Sequence, residues 1–434
     1  MYTALRLRRG VRNGDVRVTV VDPRPVMTYQ PFLPEAAAGS LEPRHVVVPL
    51  RAVLRGCRVI TGRVTSIDHA NHRAIVEPPT GDEYGIDYDH VVVALGSVAR
   101  TLPIPGLAEQ AIGFKHVEEA IALRNQVLGR LDVAASIRAA SIDDASIDDA
   151  SIDVGAKRRR ALTFVFVGGG YAGVEAFAEL EDMARYATRY YDNLEAADMR
   201  WVLVEATGRI LPEVGEDMGR YTIEQLRSRS MEVLLDTRLE SCVDGHVELS
   251  GGQRFDADTI VWTAGVKANP VVAATGLPLD DRGRIRCGAD LRVVGFHDVW
   301  AAGDNAAVPD LSSSVPGATC SPSAQHAVRQ AKVLARNLLR VLAGNAVVEY
   351  RHRHVGSVAS LGLRKGVAQV YGIKLKGFPA WFMHRTYHLS RVPTFNRKAR
   401  VVLDWTLALF FRREVVSLGS LHHPSDEFRR AAST

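Results

Sequence analysis

The sequence contains few cysteines, and no two of them lie close together. The four cysteines are scattered over 434 residues, and none belongs to a Cys-x-x-Cys motif. They are Cys57, Cys242, Cys287 and Cys320. This pattern excludes a fold stapled by disulfides and argues against enzymes that work through a redox-active cysteine pair. A reducing cytosol is therefore the expected compartment.

Long apolar stretches are missing as well. In the C-terminal segment the longest one, from Val401 to Phe411, would be about 16 Å long as a helix, whereas the hydrocarbon core of a membrane is ~30 Å thick. The N-terminus shows no basic-then-apolar pattern of the signal-peptide type. With 47% apolar and 24% charged residues, the chain is predicted to be an ordinary globular protein of two or three domains.

One internal segment lacks the variety of residues that a packed core needs. The triplet Ala-Ser-Ile recurs at positions 135, 140, 145 and 150, and this period of five fits neither a helix nor a strand. We predict a solvated loop over residues 132–156 that has expanded by repetition. The sequence assigns it no role.

A strand-turn-helix pattern in the middle of the chain predicts a dinucleotide site. The apolar run LTFVFV leads into Gly168-x-Gly170-x-x-Gly173 and then into an alanine-rich helix. In this setting the first glycine permits a tight turn, the second lets backbone N–H groups approach a diphosphate, and the third lets helix and strand pack closely. The diphosphate would lie at the N-terminus of the helix.

The next predicted strand, MRWVLVEAT, leads to Glu205. A carboxylate at this position accepts hydrogen bonds from a ribose 2′-hydroxyl and repels a 2′-phosphate, which favours NADH over NADPH. Two features leave the preference open. The spacing from Gly168 is 37 residues rather than about 20, and Arg209 lies nearby.

The first residues read as the second half of another nucleotide-binding unit. TALRLRR has the spacing of a helix, Asn-Gly is a helix stop, and DVRVTVVDP is typical of a strand that ends at Asp22. Asp22 is thus a second predicted ribose acceptor. Gly96 in VALGS belongs to the same site, and VWAAGDNA would bring Gly303 close to a ligand and Asp304 to ribityl hydroxyls, as in a flavin site.

Together these motifs resemble the type II NADH dehydrogenases, the single-subunit, flavin-dependent NADH:quinone oxidoreductases of respiratory membranes. TYQPFLPEAAAGSLEPRH, VVVALGS, GGGYAGVE, TAGV, AAGD and AQHAVRQ occur in the family's order along nearly the whole chain. The resemblance implies an α/β fold with two Rossmann-like dinucleotide-binding domains, one for FAD and one for NADH. It also implies a C-terminal membrane-binding region.

Several site residues follow from the resemblance alone. Glu175 of GGGYAGVE would lie near the nicotinamide and the flavin, with a plain helix-dipole role as its alternative. Gln325 would lie near the quinone and the flavin edge, unless it is an ordinary helix-start residue. Its neighbour Ala324, and Gly265 of TAGV, would contact the cofactors. Lys376 is a weaker candidate, because a lysine there can instead reach lipid phosphate.

The resemblance also implies domain limits and an upstream extension. The FAD-binding domain would comprise residues 1–113 and 267–345, the NADH-binding domain residues 114–266, and the membrane-associating region residues 346–434. In this family a strand and a glycine loop stand before the helix that begins here near Met1, and the sequence contains neither. We therefore expect the native chain to start upstream.

The excess of basic charge is confined to the C-terminal region. From Arg351 onward there are 15 Lys and Arg against 4 Asp and Glu, whereas the remainder carries a net negative charge. Aromatic and basic residues alternate over 378–413, as expected of an amphipathic helix on an anionic lipid surface. The aromatic side chains predicted to enter the acyl boundary are Trp405, Phe410 and Phe411, and the basic ones predicted to meet headgroups are Arg397, Lys398, Arg400, Arg412 and Arg413.

The basic region has two alternative partners. A basic packing helix with a homodimer partner is one alternative. Nucleic acid is the other, but no recognised binding module accompanies the charge, so no nucleic-acid binding is predicted. The histidines at 352, 354, 422 and 423 lack further ligands at zinc spacing, so no metal site is predicted.

The predicted function is hydride transfer from NADH to FAD, followed by transfer of two electrons to a membrane quinone without proton pumping. The protein is expected on the cytoplasmic face of the cell membrane as a peripheral enzyme. Another FAD-dependent NADH oxidoreductase, of the ferredoxin reductase kind, is one alternative, and an inactive NAD-binding protein is the other. The sequence names neither the quinone nor the oligomeric state.

Overall fold

The structure, a computed structural model, describes residues 1–142, 149–352, 356–411 and 413–417. The chain forms two compact units. The first unit comprises Met1–Met27, Val48–Arg100 and Val266–His354, and the second comprises Thr28–Val47, Thr101–Gly265 and Val355–Thr434. The domain limits inferred from the family resemblance stay a prediction.

The helices and strands of the described residues have the following bounds. The helices are α1 Tyr2–Asn13, α2 Leu33–Ala37, α3 Leu50–Val53, α4 Leu107–Gln110, α5 Val117–Ile142, α6 Asp149–Ala161, α7 Tyr171–Ala187, α8 Glu216–Arg227, α9 Ala324–Leu342, α10 Phe378–Arg391 and α11 Phe395–Phe410. The strands are β1 Thr19–Asp22, β2 Val26–Thr28, β3 Val47–Pro49, β4 Arg58–Thr61, β5 Arg63–Asp68, β6 Arg73–Glu77, β7 Tyr84–Asp87, β8 Val91–Val93, β9 Ser97–Ala99, β10 Ala111–Gly113, β11 Thr163–Val167, β12 Arg200–Val204, β13 Glu232–Leu234, β14 Leu239–Ser241, β15 His246–Leu249, β16 Arg254–Asp256, β17 Thr259–Trp262, β18 Val266–Ala268, β19 Ile285–Arg286, β20 Val299–Ala301, β21 Ala306–Ala307, β22 Gly356–Ser360, β23 Gly366–Val370 and β24 Ile373–Lys376.

Among the described residues, the first unit contains three separate pairs of parallel strands, one of which is β19 with β21. β1 pairs with β4, which sets Asp22 opposite Thr61, and β8 pairs with β20. The residues of β1 are exposed or half-buried, whereas β20 is fully buried and its Trp300 lies in a core that also contains residues of α9. Helix α1 ends where the sequence predicts, because Gly14 takes the left-handed conformation, with φ 83°, that closes the helix.

The second unit is built around one continuous parallel sheet with the strand order β10-β17-β11-β12-β13. All five residues of the central strand β11 are buried, as expected of a strand covered on both faces. On one face Phe164 stacks on Trp201 with ring centroids 4.4 Å apart. On the other face Val165 packs into a cluster with Val202 and Ile260. The glycine turn therefore follows a rigid strand.

The low-complexity segment differs from its prediction. Instead of a solvated loop over 132–156, helix α5 continues to Ile142 and helix α6 begins at Asp149, with residues 143–148 outside the described part. The segment between Gly129 and Gly155 contains neither glycine nor proline, so nothing in it breaks the backbone of a helix that starts on packed residues, and alanine favours its continuation. Composition alone misled the prediction.

Candidate functional site

The glycine turn between β11 and α7 has the geometry of a nucleotide site. Gly168 has φ 115°, a conformation that side chains disfavour. A Cβ on Gly173 would lie 1.9 Å from the carbonyl oxygen of Gly168, so only glycine lets α7 approach the strand this closely. Gly170 precedes the helix, and a Cβ there would meet no atom within 4 Å. This leaves open space in front of the N–H groups of the first turn.

Glu205 lies directly beside this turn. Its Oε2 accepts a hydrogen bond from the N–H of Gly169 at 2.6 Å, and its Oε1 accepts from the N–H and hydroxyl of Thr207 at 2.8 and 2.7 Å. A carboxylate has further lone pairs for ribose hydroxyls. Arg209 is turned to the backbone, since its Nη2 donates to the carbonyls of Pro212 and Val214 at 3.0 and 2.8 Å. The residues between α7 and β12 form two short 3-10 turns, which account for the long spacing.

The predicted flavin residues meet at the end of the β8–β20 pair in the first unit. Gly303 has φ 83° and follows β20. The carboxylate of Asp304 accepts a hydrogen bond from the hydroxyl of Ser97 at 2.6 Å, and Ser97 directly follows Gly96, which has φ 68°. The VALGS and AAGD motifs, far apart in sequence, are thus joined by a side-chain hydrogen bond.

Two residues that the sequence analysis missed hold this arrangement together. The buried amide of Asn305 donates to the carbonyl of Val93 at 3.0 Å and accepts from the N–H of Gly96 at 3.0 Å. Gln330 of α9 accepts a hydrogen bond from the N–H of Gly303 at 2.8 Å. Both side chains are at most 1% exposed. Their sequence signal was their position, because Asn305 directly follows Asp304 and Gln330 closes the AQHAVRQ motif.

The other predicted site residues lie on β1, on α9 and after β17. Asp22 ends β1, and burial raises the pKa of its carboxyl. Ala324 and Gln325 form the first turn of α9, which Ser323 caps by accepting from the N–H of His326. Gly265, with φ 90°, ends the TAG turn after β17 in the second unit.

Lys376 ends β24 in the second unit. Its ammonium group is exposed and lies 4.5 Å from the ring centroid of Tyr221. The histidines at 354, 422 and 423 lie outside the described residues.

Glu175 lies in a cluster of buried charged groups in the second unit. Its Oε1 accepts a hydrogen bond from the N–H of Ser360 at 2.8 Å and is 3.0 Å from Nε2 of His384. One helical turn further along α7, Oε1 of Glu179 accepts from the hydroxyl of Ser360 at 2.7 Å. Glu175 is buried and contacts a buried histidine. A residue that only complemented the helix dipole would need neither feature.

The electrostatics of this cluster favour bound protons. Burial, and then the charge of Glu35, raise the pKa of Glu179 to about 7. Burial alone would lower the pKa of His384, but the adjacent Glu175 outweighs it and the net shift is upward. Sequence reasoning found Glu175 and missed Glu179, one turn along the same helix. It also missed Ser360 and His384, which come from the distant elements β22 and α10.

Comparison with known proteins places this geometry in a family. The sequence profile described as pyridine nucleotide-disulphide oxidoreductase matches residues 1–331. The chain belongs to this family. All four cysteines are free, and burial raises the pKa of the Cys320 thiol to about 11, so no cysteine pair accounts for the disulphide in the description.

Similar proteins narrow the comparison. The type II NADH:quinone oxidoreductase Ndh of Mycobacterium tuberculosis is 27% identical over 428 residues, which is 95% of this chain and 87% of that protein. The type II NADH:quinone oxidoreductase of Staphylococcus aureus is 28% identical over 390 residues, 89% and 90% of the two chains. The structure of NDH2 from Plasmodium falciparum in complex with NADH has the same fold, with a TM-score of 0.84 at 15% identity over 96% and 97% of the two chains. The resemblance to type II NADH dehydrogenases and the α/β fold class are confirmed.

The residues present fit the two predicted cofactors. The free space before α7 and the close approach at Gly173 suit a dinucleotide diphosphate, and Glu205 suits its ribose. In the first unit, Gly303 and the Asp304 carboxylate that Ser97 orients suit the ribityl chain of FAD.

Proposed function

We propose that this protein is a peripheral-membrane, FAD-dependent NADH:quinone oxidoreductase that does not pump protons. The observation that carries the proposal is the presence of two dinucleotide-type sites in one chain, one ending in Gly303 and Asp304 and the other built on Gly168–Gly173 with Glu205. Two such sites are what a protein needs to pass electrons from NADH through a flavin. The names of the similar proteins supply quinone as the acceptor.

Each group has a definite task in this reaction. The N–H groups at the start of α7 bind the NADH diphosphate, and Glu205 accepts hydrogen bonds from the adenosine ribose. Asp304, which Ser97 orients, holds the ribityl chain, and Asp22 the ribose of FAD. FAD bound there would supply the hydride and electron-transfer chemistry that links NADH to quinone. Glu175 and Gln325 act on the reacting rings, at nicotinamide or quinone.

The membrane surface is assigned to one face of α11. Among the described residues no helix combines the length and apolarity needed to cross a bilayer. Large apolar side chains of α11 and the residue after it are exposed to solvent: Phe395, Leu403, Leu407, Leu409, Phe410 and Phe411. Arg397, Lys398 and Arg400 lie on the same helix. This apolar and basic pattern suits an anionic lipid surface, which we place on the cytoplasmic face of the membrane.

Two side chains expected at this surface face the protein instead. The indole N–H of Trp405 donates to Glu35 at 2.9 Å, and Arg413 donates to Asp182 at 2.7 Å and to the carbonyl of Ala38 at 2.9 Å. Trp405 is one turn from buried Val401, on the side of α11 opposite exposed Leu403 and Phe410. Arg412 lies outside the described residues.

The function is tested by the stoichiometry of electron transfer. Under anaerobic conditions the purified protein should oxidise one NADH for each short-chain quinone reduced, and the Asp304→Asn variant should lose flavin and activity together. Oxidation of NADH that is independent of quinone would overturn the proposal and leave another NADH oxidoreductase.

The membrane surface is tested by vesicle flotation. Protein should float with anionic vesicles and much less with neutral ones, and Leu407→Ser combined with Phe410→Ser should weaken binding. Thr406→Ser, on the same helix, is the matched control. Binding unchanged in the double variant, together with a loss of dimer in solution, would assign this face to a homodimer instead.

A further inference from the structure

The choice between NADH and NADPH is made at the adenosine ribose, and this inference rests on the NADH site of the proposed function. The two nucleotides differ only in a phosphate on the 2′-hydroxyl, and a phosphate monoester carries a charge of about −1.5 to −2 at neutral pH. Glu205 is the carboxylate assigned to that hydroxyl. The charges around Glu205 therefore decide how a 2′-phosphate is received.

A neighbouring strand brings a second acid to the same edge of the sheet. β12 and β13 are parallel, and Val204 lies opposite Leu234 in their register. The carboxyl ends of parallel strands face the crevice in which ligands bind. Glu205 directly follows β12, and Asp236 lies two residues beyond β13. Both acids thus leave the sheet at its ligand-binding edge.

Backbone hydrogen bonds join the two connections that carry these acids. The N–H of Asp236 donates to the carbonyl of Thr207 at 3.1 Å, and the N–H of Thr237 donates to the carbonyl of Glu205 at 3.0 Å. The carboxylate of Glu205 in turn accepts from the N–H of Thr207 at 2.8 Å. The backbone therefore sets Asp236 beside the residues that follow Glu205.

The carboxylate of Asp236 lies against Gly208. Both of its oxygens are 3.4 Å from the place where a Cβ on Gly208 would stand. Asp236 is exposed and has φ 51°, a left-handed conformation that is uncommon for residues other than glycine. Among the described residues none donates a hydrogen bond to this carboxylate or forms an ion pair with it. The charge of Asp236 therefore serves no contact that holds the fold.

Neither nearby arginine neutralises the two acids. Arg209, the residue after Gly208, donates from its guanidinium to two backbone carbonyls of its own loop. Arg238 follows Asp236 by two residues and, within the described part of the chain, forms no ion pair with either carboxylate. Two negative charges thus adjoin the segment of Thr207 and Gly208 without a paired cation.

We propose that Asp236 is a second specificity-determining residue, which acts together with Glu205 to exclude NADPH from this site. Glu205 accepts a hydrogen bond from the 2′-hydroxyl of NADH, and Asp236 contributes its charge. A 2′-phosphate beside Thr207 and Gly208 meets two like charges, and the repulsion between exposed charges extends over about 10 Å at 0.1 M ionic strength. The substrate of the site is the dinucleotide without a 2′-phosphate.

The test removes the charge of Asp236 and keeps its shape. Asparagine tolerates the left-handed conformation as aspartate does, so Asp236→Asn should melt like the wild type. With ferricyanide as acceptor, the ratio of kcat/KM for NADPH to that for NADH should rise about three- to tenfold. The value of kcat/KM for NADH itself should stay within about twofold. Glu240→Gln removes an exposed carboxylate from β14 and is the matched control, which should leave the ratio unchanged.

Salt supplies a readout that a structural change would not move. Raising the ionic strength from about 0.01 M to about 1 M shortens the screening length from about 30 Å to about 3 Å. The wild-type ratio should therefore rise with salt, and the rise should be smaller in Asp236→Asn. Glu205→Gln combined with Asp236→Asn should show the highest ratio at low salt and the smallest dependence on salt.

Three results would overturn the inference. They are a low-salt ratio in Asp236→Asn equal to that of the wild type, an equal rise of the ratio in Glu240→Gln, and a wild type that uses NADPH as readily as NADH. A protein that reduces ferricyanide but not quinone would instead refute the proposed function and leave this inference standing. If neither nucleotide is oxidised, the proposed function fails, and the ratio of the two dissociation constants, measured by calorimetry, carries the same test.

Discussion

The strands that lead to the two carboxylates proposed to bind ribose, Glu205 and Asp22, lie in very different surroundings. β12 leads to Glu205 inside a continuous five-stranded sheet, next to the fully buried β11. β1 leads to Asp22 as one half of a two-stranded pair, and none of its residues is buried. In the second unit the sheet itself holds the Gly168–Gly173 turn in place. In the first unit the turns at Gly96 and Gly303 are held by side chains, chiefly those of Asn305, Gln330 and Ser97.

The largest effect is expected where the sheet and helix of the second unit meet. Gly173→Ala would drive a methyl group into the Gly168 carbonyl, so we expect kcat/KM for NADH to fall by about a hundredfold or more. Ferricyanide assays over a range of NADH concentrations measure this. In Gly170→Ala the new methyl group meets no protein atom, so the variant should melt like the wild type. Its KM for NADH should rise because the methyl group enters the space of the diphosphate. An unchanged KM would contradict the placement of the diphosphate there.

The next effect compares one side-chain link in each unit. Asn305→Ala leaves the Gly96 N–H without its partner and the Val93 carbonyl with only the 3.4 Å bond from the N–H of Ala302, at a cost of about 1–3 kcal/mol. Thr263→Val removes a hydroxyl donor in the second unit, but the carbonyl of Val167 still accepts from the N–H of residue 263. This change should cost about 1 kcal/mol. Denaturant titration and flavin content measure both variants. A larger loss of unfolding free energy in Thr263→Val than in Asn305→Ala would contradict this difference between the units.

A moderate effect is expected in the choice of nucleotide. Glu205→Gln removes the charge that repels a 2′-phosphate, so the ratio of kcat/KM for NADPH to that for NADH should rise by about tenfold, or ~1.4 kcal/mol. Asp22→Asn, the counterpart in the first unit, should leave this ratio unchanged and weaken flavin binding. A shift of the ratio in Asp22→Asn would show that the two carboxylates had been assigned to the wrong nucleotides.

The smallest effect concerns stability and pH in the second unit. Because burial raises the pKa of Glu179 to about 7 from 4.5, the folded state favours the protonated carboxyl. Its stabilising contribution is complete below the unfolded pKa and is lost as the pH rises through the folded one. Wild-type Tm should therefore fall more steeply than that of Glu179→Gln between about pH 6 and about pH 8. Parallel curves would refute a buried, proton-holding Glu179.

The sequence predicted those parts of the molecule whose conformation depends on neighbouring residues in the chain. The glycine turn, its buried strand and Glu205 follow from hydrophobic spacing and from the backbone freedom of Gly168. The helix stop at Gly14 follows in the same way. The prediction of a loop over 132–156 was wrong because this alanine-rich segment contains no proline and supports helices α5 and α6.

Contacts between distant segments were beyond the sequence. Ser360 and Glu175 are 185 residues apart and meet only because β22 packs beside α7. The inward orientation of Trp405 likewise depends on Glu35, which lies 370 residues earlier. No periodicity within one segment encodes such a partner, so the buried cluster required the structure.

The most direct test of the account follows the flavin absorbance of the purified protein without oxygen. Addition of NADH should bleach it, and a short-chain quinone added afterwards should restore it in full, with one quinone consumed per flavin. Bleaching by NADH without recovery on quinone addition would contradict the central claim that this chain carries electrons from NADH to quinone.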